Sequence, residues 1–112
     1  SDKRIISCDS GSKEVDVSKI IYIESSGHKV TYHIHGKEFG DYVVKSKLDD
    51  IENELKEYKY LLRVHQSYIV NMMYVNNISS YRVYLKNGID LGVPKSRYKE
   101  VKKRILEFKE NN

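Results

Sequence analysis

Side chains able to form several hydrogen bonds are concentrated in one short stretch, LLRVHQSYIVN, at residues 61–71. Its first half alternates apolar and polar residues, with Leu62 and Val64 on one side, as a half-buried strand does. The alternation then breaks at Gln66 and Ser67. Guanidinium, imidazole, carboxamide and hydroxyl groups in this arrangement can contact the base edges and phosphates of nucleic acid, or they can hydrogen-bond the backbone of a turn and hold it rigid.

Other histidines and the one cysteine give little support to catalytic or metal chemistry. His33 and His35 fall on the same side of a strand-like run, but no Cys or Glu-x-x-His partner stands at a spacing that would complete a metal site. We interpret them as exposed strand histidines. Cys8 has no base near it in the sequence, and the chain contains no G-x-S-x-G, P-loop or Rossmann glycine pattern. The sequence therefore predicts no enzyme, no metal site and no cofactor.

Two further segments carry side chains suited to nucleic acid. His28 follows ESSG in a loop between two strand-like runs, where an imidazole can donate to or accept from a base edge, although a surface loop histidine can also have no role. In PKSR, Lys95 and Arg97 follow a proline. They are either solubilising charges or a fork directed at guanine and phosphate.

Short strands are the main elements predicted to hold these side chains. The first 44 residues contain five strand-like runs separated by Gly or Ser, which we interpret as an antiparallel meander. In KVTYHIH, Val30, Tyr32 and Ile34 share one face and polar residues share the other. The five runs are RIISC, EVDV, KIIYIES, KVTYHIH and KEFGDYVV.

An acidic helix is predicted next, over KSKLDDIENELKEY. Leu48, Ile51 and Leu55 recur there at helical spacing over about three turns. Ser46 and Asp49, three residues apart, resemble a capping box at its start.

The second half of the chain returns to strands and ends in another helix. Strand-like runs occur in YVNNIS, YRVYLKN and IDLGV, and Asn87-Gly88 predicts a hairpin because both positions tolerate positive φ. After Pro94, which ends strand pairing, apolar residues at i, i+4 and i+7 from Val101 predict a terminal helix. Eight or nine strands and two helices with no alternating βα rhythm argue against a doubly wound parallel sheet.

Length and composition indicate one soluble domain. Residues 1–112 can bury a single core, and 39% hydrophobic with 32% charged residues is ordinary for a soluble globule. The longest apolar runs are about four residues, far below the roughly 20 needed to cross a bilayer, and the N-terminal stretch has no apolar core like that of a secretory signal. With a single cysteine as well, we expect a cytoplasmic protein with no membrane partner.

Charge is modest overall but segregated along the chain. The formal net charge is +4, whereas residues 49–57 hold five acids and one lysine, and residues 95–109 hold seven bases and two acids. A basic face of this kind suits a polyanionic partner, and it also suits an ordinary solvated helix.

Taken together, these segments resemble the LytTR family, the DNA-binding output domain of many bacterial two-component response regulators. The stretch at 61–71 is similar to the family's F-x-R-x-H-x-S…VN signature, with Leu61 in place of the usual Phe. The matching residues are Arg63, His65, Ser67, Val70 and Asn71. IIYIESSGHK, VYLKNG and VPKSRYKEVKK also resemble the family in its order, so the resemblance covers about residues 3–108.

The resemblance implies an elongated, mainly β fold of about ten short antiparallel strands with two short helices. It also implies that loops, and not a recognition helix, reach two successive major grooves and the backbone between them. The residues implied to contact bases are His28, Gln66 and either Lys95 or Arg97. Those implied to hold phosphates are Lys29, Ser67, Ser96, Arg97 and Lys99, and those implied to brace the turn are Arg63, His65 and Asn71.

The resemblance further implies the partners. They are double-stranded DNA with paired direct-repeat sites, an N-terminal receiver domain in a longer protein, and a second copy of the chain as one option on DNA.

Two other functions remain compatible with the residues alone. A module that binds single-stranded nucleic acid or RNA would use tyrosines on a sheet face, of which Tyr58 and Tyr60 look exposed. A protein-interaction domain would use the acidic segment Asp49–Glu57.

Overall fold

The computed structural model describes residues 2–36 and 42–112, which contain ten strands, two α-helices and two short 3-10 turns. The strands are β1 (Lys3–Cys8), β2 (Gly11–Asp16), β3 (Ile20–Ser26), β4 (Lys29–Ile34), β5 (Tyr42–Lys45), β6 (Leu61–His65), β7 (Tyr68–Asn71), β8 (Val75–Ser79), β9 (Arg82–Leu85) and β10 (Asp90–Gly92). The helices are α1 (Leu48–Glu54) and α2 (Lys95–Glu110). The fold is mainly β, as predicted, and dimensions of 38 × 31 × 25 Å make it moderately elongated. Within the described ranges no helix is long and apolar enough to span a bilayer.

The strands pair in three antiparallel sheets. The five-stranded sheet has the order β5-β4-β3-β7-β6, so the predicted meander is confirmed for β3, β4 and β5. It does not extend to β1 and β2, which form a separate hairpin, and β8, β9 and β10 form the third sheet. Of the predicted run KEFGDYVV, residues 42–44 lie in β5, and residues 37–41 lie outside the described part of the chain.

The central strands of the five-stranded sheet, β3 and β7, are buried on both faces. Ile69 packs with Ile20 and Ile23 in a core that includes α1 and the N-terminal hairpin, whereas its neighbour Val70 packs with Val64 in a core shared with the three-stranded sheet and α2. Strands covered on both sides lose the alternation of apolar and polar residues. This explains why the simple pattern at the start of β6 does not continue through β7.

Helix α1 is shorter than predicted and begins differently. It has seven residues, about two turns, and Lys47 stands at its N-cap without a side-chain hydrogen bond. Ser46 lies one position further out, with its hydroxyl 3.5 Å from the Lys47 carbonyl oxygen, so the predicted capping box is wrong. Leu55 remains buried because the chain continues in hydrogen-bonded turns, in which the Tyr58 N–H donates to its carbonyl oxygen at 3.0 Å.

The residues that have positive φ in the hairpin turns are not the pair that the sequence predicted. Between β9 and β10, Gly88 has φ 91°, but Asn87 does not share this conformation and instead accepts a hydrogen bond from the Ile89 N–H. The pair with positive φ occurs one hairpin earlier, where Ser80 and Tyr81 join β8 to β9 with φ of 52° and 63°.

Asn71 is a fully buried polar side chain at the end of β7. Its Nδ2 donates to the carbonyl oxygens of Ser18 and Ile20 at 3.0 and 2.9 Å, and its Oδ1 accepts from the Met73 N–H at 2.9 Å. A buried amide is tolerated when its donors and acceptor have partners. Asn71 therefore joins the start of β3, the end of β7 and the short turn that leads to β8.

We predict that Asn71→Ala lowers the free energy of unfolding by about 3 kcal/mol, because the carbonyl oxygens of Ser18 and Ile20 lose their donor and the turn after β7 loses its cap. Urea denaturation measures this. Asn77→Ala, at an exposed position of β8, is the control and should change stability by less than about 0.5 kcal/mol. Similar small effects of both substitutions would contradict the structural role of Asn71.

Candidate nucleic-acid interface

Two of the predicted contact segments lie at the same end of the five-stranded sheet. The register pairs Ser26 with Lys29 across the β3–β4 turn and Glu24 with Tyr68 beside the β6–β7 turn, so both turns leave the sheet together. The Ser25 N–H donates to the Ser67 carbonyl oxygen at 2.9 Å and ties the two turns to each other. Gly27 and Gln66 border one shallow groove with Ser25.

The β3–β4 turn presents His28 to solvent. Gly27 has φ 60°, a conformation that permits a two-residue turn, and His28 and Lys29 after it are both exposed. The Lys29 ammonium is 4.0 Å from an Asp9 carboxylate oxygen, and both side chains are about half exposed. Such a surface pair is weak and leaves Lys29 able to reach another anion.

The guanidinium of Arg63 holds the β6–β7 turn from within. Its side chain is 7% exposed, its Nε donates to the His65 carbonyl oxygen at 2.8 Å, and its Nη2 donates to the Gln66 carbonyl oxygen at 2.6 Å. Its Nη1 donates to Asp49 at 3.0 Å and to Glu52 at 2.9 Å, both on α1. We call these four hydrogen bonds the Arg63 bracket. They fix the turn backbone against the acidic helix.

His65 completes the turn. Its Nδ1 accepts a hydrogen bond from the Ser67 N–H at 2.9 Å, which requires that nitrogen to be unprotonated. Ser67 is half-buried, whereas the Gln66 side chain is exposed while its carbonyl oxygen is held by Arg63. The turn thus has a fixed backbone and an outward carboxamide.

Asn71 does not take part in this turn, although the family resemblance implied that it would brace it. It lies at the other end of β7, about 10 Å from the turn at 3.3 Å per strand residue, and its hydrogen bonds run to residues 18, 20 and 73. The asparagine at the end of the 61–71 stretch therefore joins β7 to the start of β3 and does not support the turn.

The third predicted segment is the first turn of a helix and not a loop. Pro94 stands at the N-cap of α2 and Lys95 is its first residue, because proline has a suitable φ there and its missing N–H is no loss at a helix start. Lys95, Ser96 and Lys99 are exposed, Arg97 is half-buried, and the first turn contains no acid. The partial positive charge of the helix end adds to these cations.

Arg97 lies beside the Arg63 bracket. Both arginines border a groove of about 350 Å³ between α1, the edge strand β6 and α2. The other charged residues that border it are Glu52, Lys56, Lys59 and Arg104. The structure thus brings Gln66 and the Gly27–His28 turn together and places Arg97 on the same groove as the side chain that supports Gln66. None of the described contacts joins Lys95, Ser96 or Lys99 to either turn.

The remaining histidines, His33 and His35, each lie near a tyrosine ring. The prediction that His33 is an exposed strand histidine is wrong: it is half-buried, its Nε2 is 2.6 Å from a Glu24 carboxylate oxygen, and its ring stacks on Tyr22 at 4.2 Å between centroids. His35 is exposed just after β4. In residues 2–36 and 42–112 no three His, Cys, Asp or Glu side chains are grouped as metal ligands.

The acidic segment Asp49–Glu57, which includes most of α1, also has contacts within the fold. Asp49 and Glu52 pair with Arg63, and Glu57 pairs with Arg4 at 2.8 Å. Its charge is therefore used in part to hold the chain together.

Most tyrosines have core or edge positions. Tyr58 and Tyr60 are half-buried against the core, so the prediction that they are exposed is wrong. The pKa of Tyr60 is raised mainly by burial and also by the hydrogen bond that its hydroxyl donates to Asp2. Tyr81, which begins the strand-like run YRVYLKN, was predicted to pack in the core, and this prediction is wrong. Its side chain is 48% exposed, because Tyr81 lies in the turn before β9.

Comparison with known proteins gives a consistent result. The model of a family described as the LytTr DNA-binding domain matches residues 10–106. The sensory transduction protein LytT of Bacillus subtilis is 33% identical over 97 residues, an alignment that covers 81% of this chain but only 38% of that protein. A solved LytTr DNA-binding domain from Bacillus cereus superposes with a TM-score of 0.73 at 21% identity, over 95% of this chain and 97% of the other, and so shares the fold.

We predict that Arg63→Lys lowers the free energy of unfolding by about 1–3 kcal/mol, because an ammonium cannot reproduce the planar fork that reaches both carbonyl oxygens. Amide hydrogen exchange at Ser67 should also become faster. The control is Arg82→Lys, since Arg82 pairs with Asp90 at the surface, with side chains 46% and 42% exposed. That control should cost less than about 1 kcal/mol. Equal effects of the two substitutions would argue against the bracket.

Proposed function

Because the chain belongs to the LytTR family of DNA-binding domains, we propose that it binds double-stranded DNA sequence-specifically as the transcription-regulating output domain of a bacterial response regulator. The observation that carries this proposal is the rigid pair of turns at one end of the five-stranded sheet. Exposed imidazole and carboxamide groups stand there on backbones that are fixed by hydrogen bonds. Preorganised side chains of these types suit the donor and acceptor pattern of the major groove.

Base contacts are assigned to His28 and Gln66 in this proposal. Carboxamides and imidazoles can both donate to and accept from base edges, and both residues are exposed on adjacent turns. A third base contact comes from the first turn of α2. Exposure favours Lys95 there, since Arg97 is half-buried beside Arg63.

Phosphate contacts are assigned to residues that flank these positions. They are Lys29, Ser67, Ser96 and Lys99. Cations and hydroxyls so placed would supply most of the affinity, and the base contacts the discrimination. The longest dimension of 38 Å is comparable to the roughly 34 Å of one turn of duplex DNA, so one copy is long enough to reach two successive major grooves.

The setting of the domain follows from the same proposal. Residues 1–112 would act as one DNA-binding domain in the cytoplasm, downstream of a receiver domain in a longer protein. The chain spans 38% of the length of its LytT relative, which leaves room for such a domain. Paired direct-repeat sites would place two copies side by side on the duplex, where they could form a homodimer.

Selection of bound duplexes from a random pool tests the proposal directly. We predict that one repeated motif is recovered and that duplex DNA competes for the chain far better than either of its single strands. If roughly six phosphates are engaged, affinity should fall about a thousandfold between about 50 and 200 mM salt. Equal competition by single-stranded DNA or RNA would favour the alternative nucleic-acid module.

We predict that His28→Ala weakens binding to the selected duplex by about 1–3 kcal/mol and relaxes specificity at one base pair. The side chain is exposed, so the fold should be unaffected. Lys99→Ala is the comparison and should weaken selected and scrambled duplexes alike, measured by fluorescence anisotropy. If His28→Ala binds both duplexes as the unmodified chain does, its assignment to a base is wrong.

A further inference from the structure

The turn between β8 and β9 places an exposed aromatic side chain on an unfavourable backbone. The register pairs Ser79 with Arg82, so Ser80 and Tyr81 alone make the connection, and both have left-handed φ. This conformation is costly for residues with a Cβ other than Asn and Asp, and it is especially unusual for a bulky side chain. The Val93 N–H holds the turn by donating to the Tyr81 carbonyl oxygen at 2.8 Å.

Tyr81 gains little burial in return for this strain. It is 48% exposed, and its ring lies 4.5 Å from that of Tyr98 on α2, measured between centroids. A strained backbone that does not serve the core points to a use of the side chain at the surface. Asn or Gly would make the same turn more easily.

Two lysines of α2 lie on the same side of the helix as Tyr98. Lys95, Tyr98 and Lys102 lie at i, i+3 and i+7 on one side of α2, and the Lys102 ammonium is 5.9 Å from the centre of the Tyr98 ring. Of the three acids of α2, Glu100 and Glu107 lie nearly on the opposite side of the helix, and Glu110 lies about two turns beyond Lys102. The surface formed by Tyr81, Tyr98 and Lys102, which we call the Tyr81 patch, therefore combines aromatic rings with positive charge and adjoins Lys95.

We propose that the Tyr81 patch is a further contact with the sugar-phosphate backbone of duplex DNA, next to the α2 end of the interface. This inference rests on the proposed function. The phenol of Tyr81 donates to a phosphate oxygen, its ring packs on a deoxyribose, and the ammonium of Lys102 pairs with the backbone charge. Contacts of this kind raise affinity for every sequence equally.

The test compares Tyr81→Asn with Ser80→Asn in binding to the selected duplex and to a scrambled duplex. Asparagine tolerates left-handed φ at either position, so both substitutions relieve strain and keep the hairpin, which thermal unfolding will verify. Tyr81→Asn should weaken both duplexes by about three- to tenfold, the factor expected for one hydrogen bond. Ser80→Asn leaves the ring in place and should bind as the unmodified chain does.

A second pair of variants tests the charge. Lys102→Gln should reduce the slope of log affinity against log salt by about one. Lys103→Gln is the matched control, since Lys103 is the next residue round the helix and lies 3.9 Å from Glu107. That control should leave the slope unchanged.

The outcomes separate this inference from the function on which it rests. If the unmodified chain binds duplex DNA and neither Tyr81→Asn nor Lys102→Gln changes that binding, the Tyr81 patch is not a DNA contact. A protein partner then becomes the better explanation of the patch. If Tyr81→Asn weakens the selected duplex alone, the backbone assignment is overturned. If the unmodified chain binds no duplex at all, the proposed function and this inference fall together.

Discussion

The proposed interface depends on where one positive charge is placed. The guanidinium of Arg63 is a cation whose side chain is only 7% exposed, so the fold must surround it with acceptors. Asp49 and Glu52 supply two acceptors from α1, and the carbonyl oxygens of His65 and Gln66 supply the others. Both carboxylates are at least half exposed, which makes each ion pair weak by itself. The bonds to the carbonyl oxygens, which are charge-assisted, therefore contribute most to holding the turn.

The strands could be predicted from the sequence because their signal is local. Alternation in β4 and the apolar positions of β6 follow from one wet and one buried face, and strand boundaries there agree with the structure. The stretch at Tyr68–Asn71 resists this reasoning, since Ile69 and Val70 enter different cores and periodicity alone does not reveal a strand covered on both sides. The family resemblance, more than the pattern, indicated that this stretch belongs to the site.

Features that depend on partners distant in sequence could not be predicted. Ser46 and Asp49 have the spacing of a capping box, but α1 begins one residue later and Asp49 is used by Arg63. His33 looked exposed because its stacking on a tyrosine of β3 becomes visible only once the register of β3 and β4 is known. Likewise, Pro94 was correctly expected to end a strand, yet the sequence did not show that α2 begins at the very next residue.

In a sheet that is apolar on both faces, hydrophobicity alone does not fix the register of the strands, and here Asn71 fixes it. Sliding β7 by one residue against β3 would exchange Ile69 and Val70 between two hydrophobic environments, and hydrophobicity alone discriminates poorly between those alignments. The same slip would carry the Asn71 amide away from the carbonyl oxygens that it meets in the native pairing. An unsatisfied polar group in the interior penalises every misaligned state, so one carboxamide selects a single alignment of the central strands during folding.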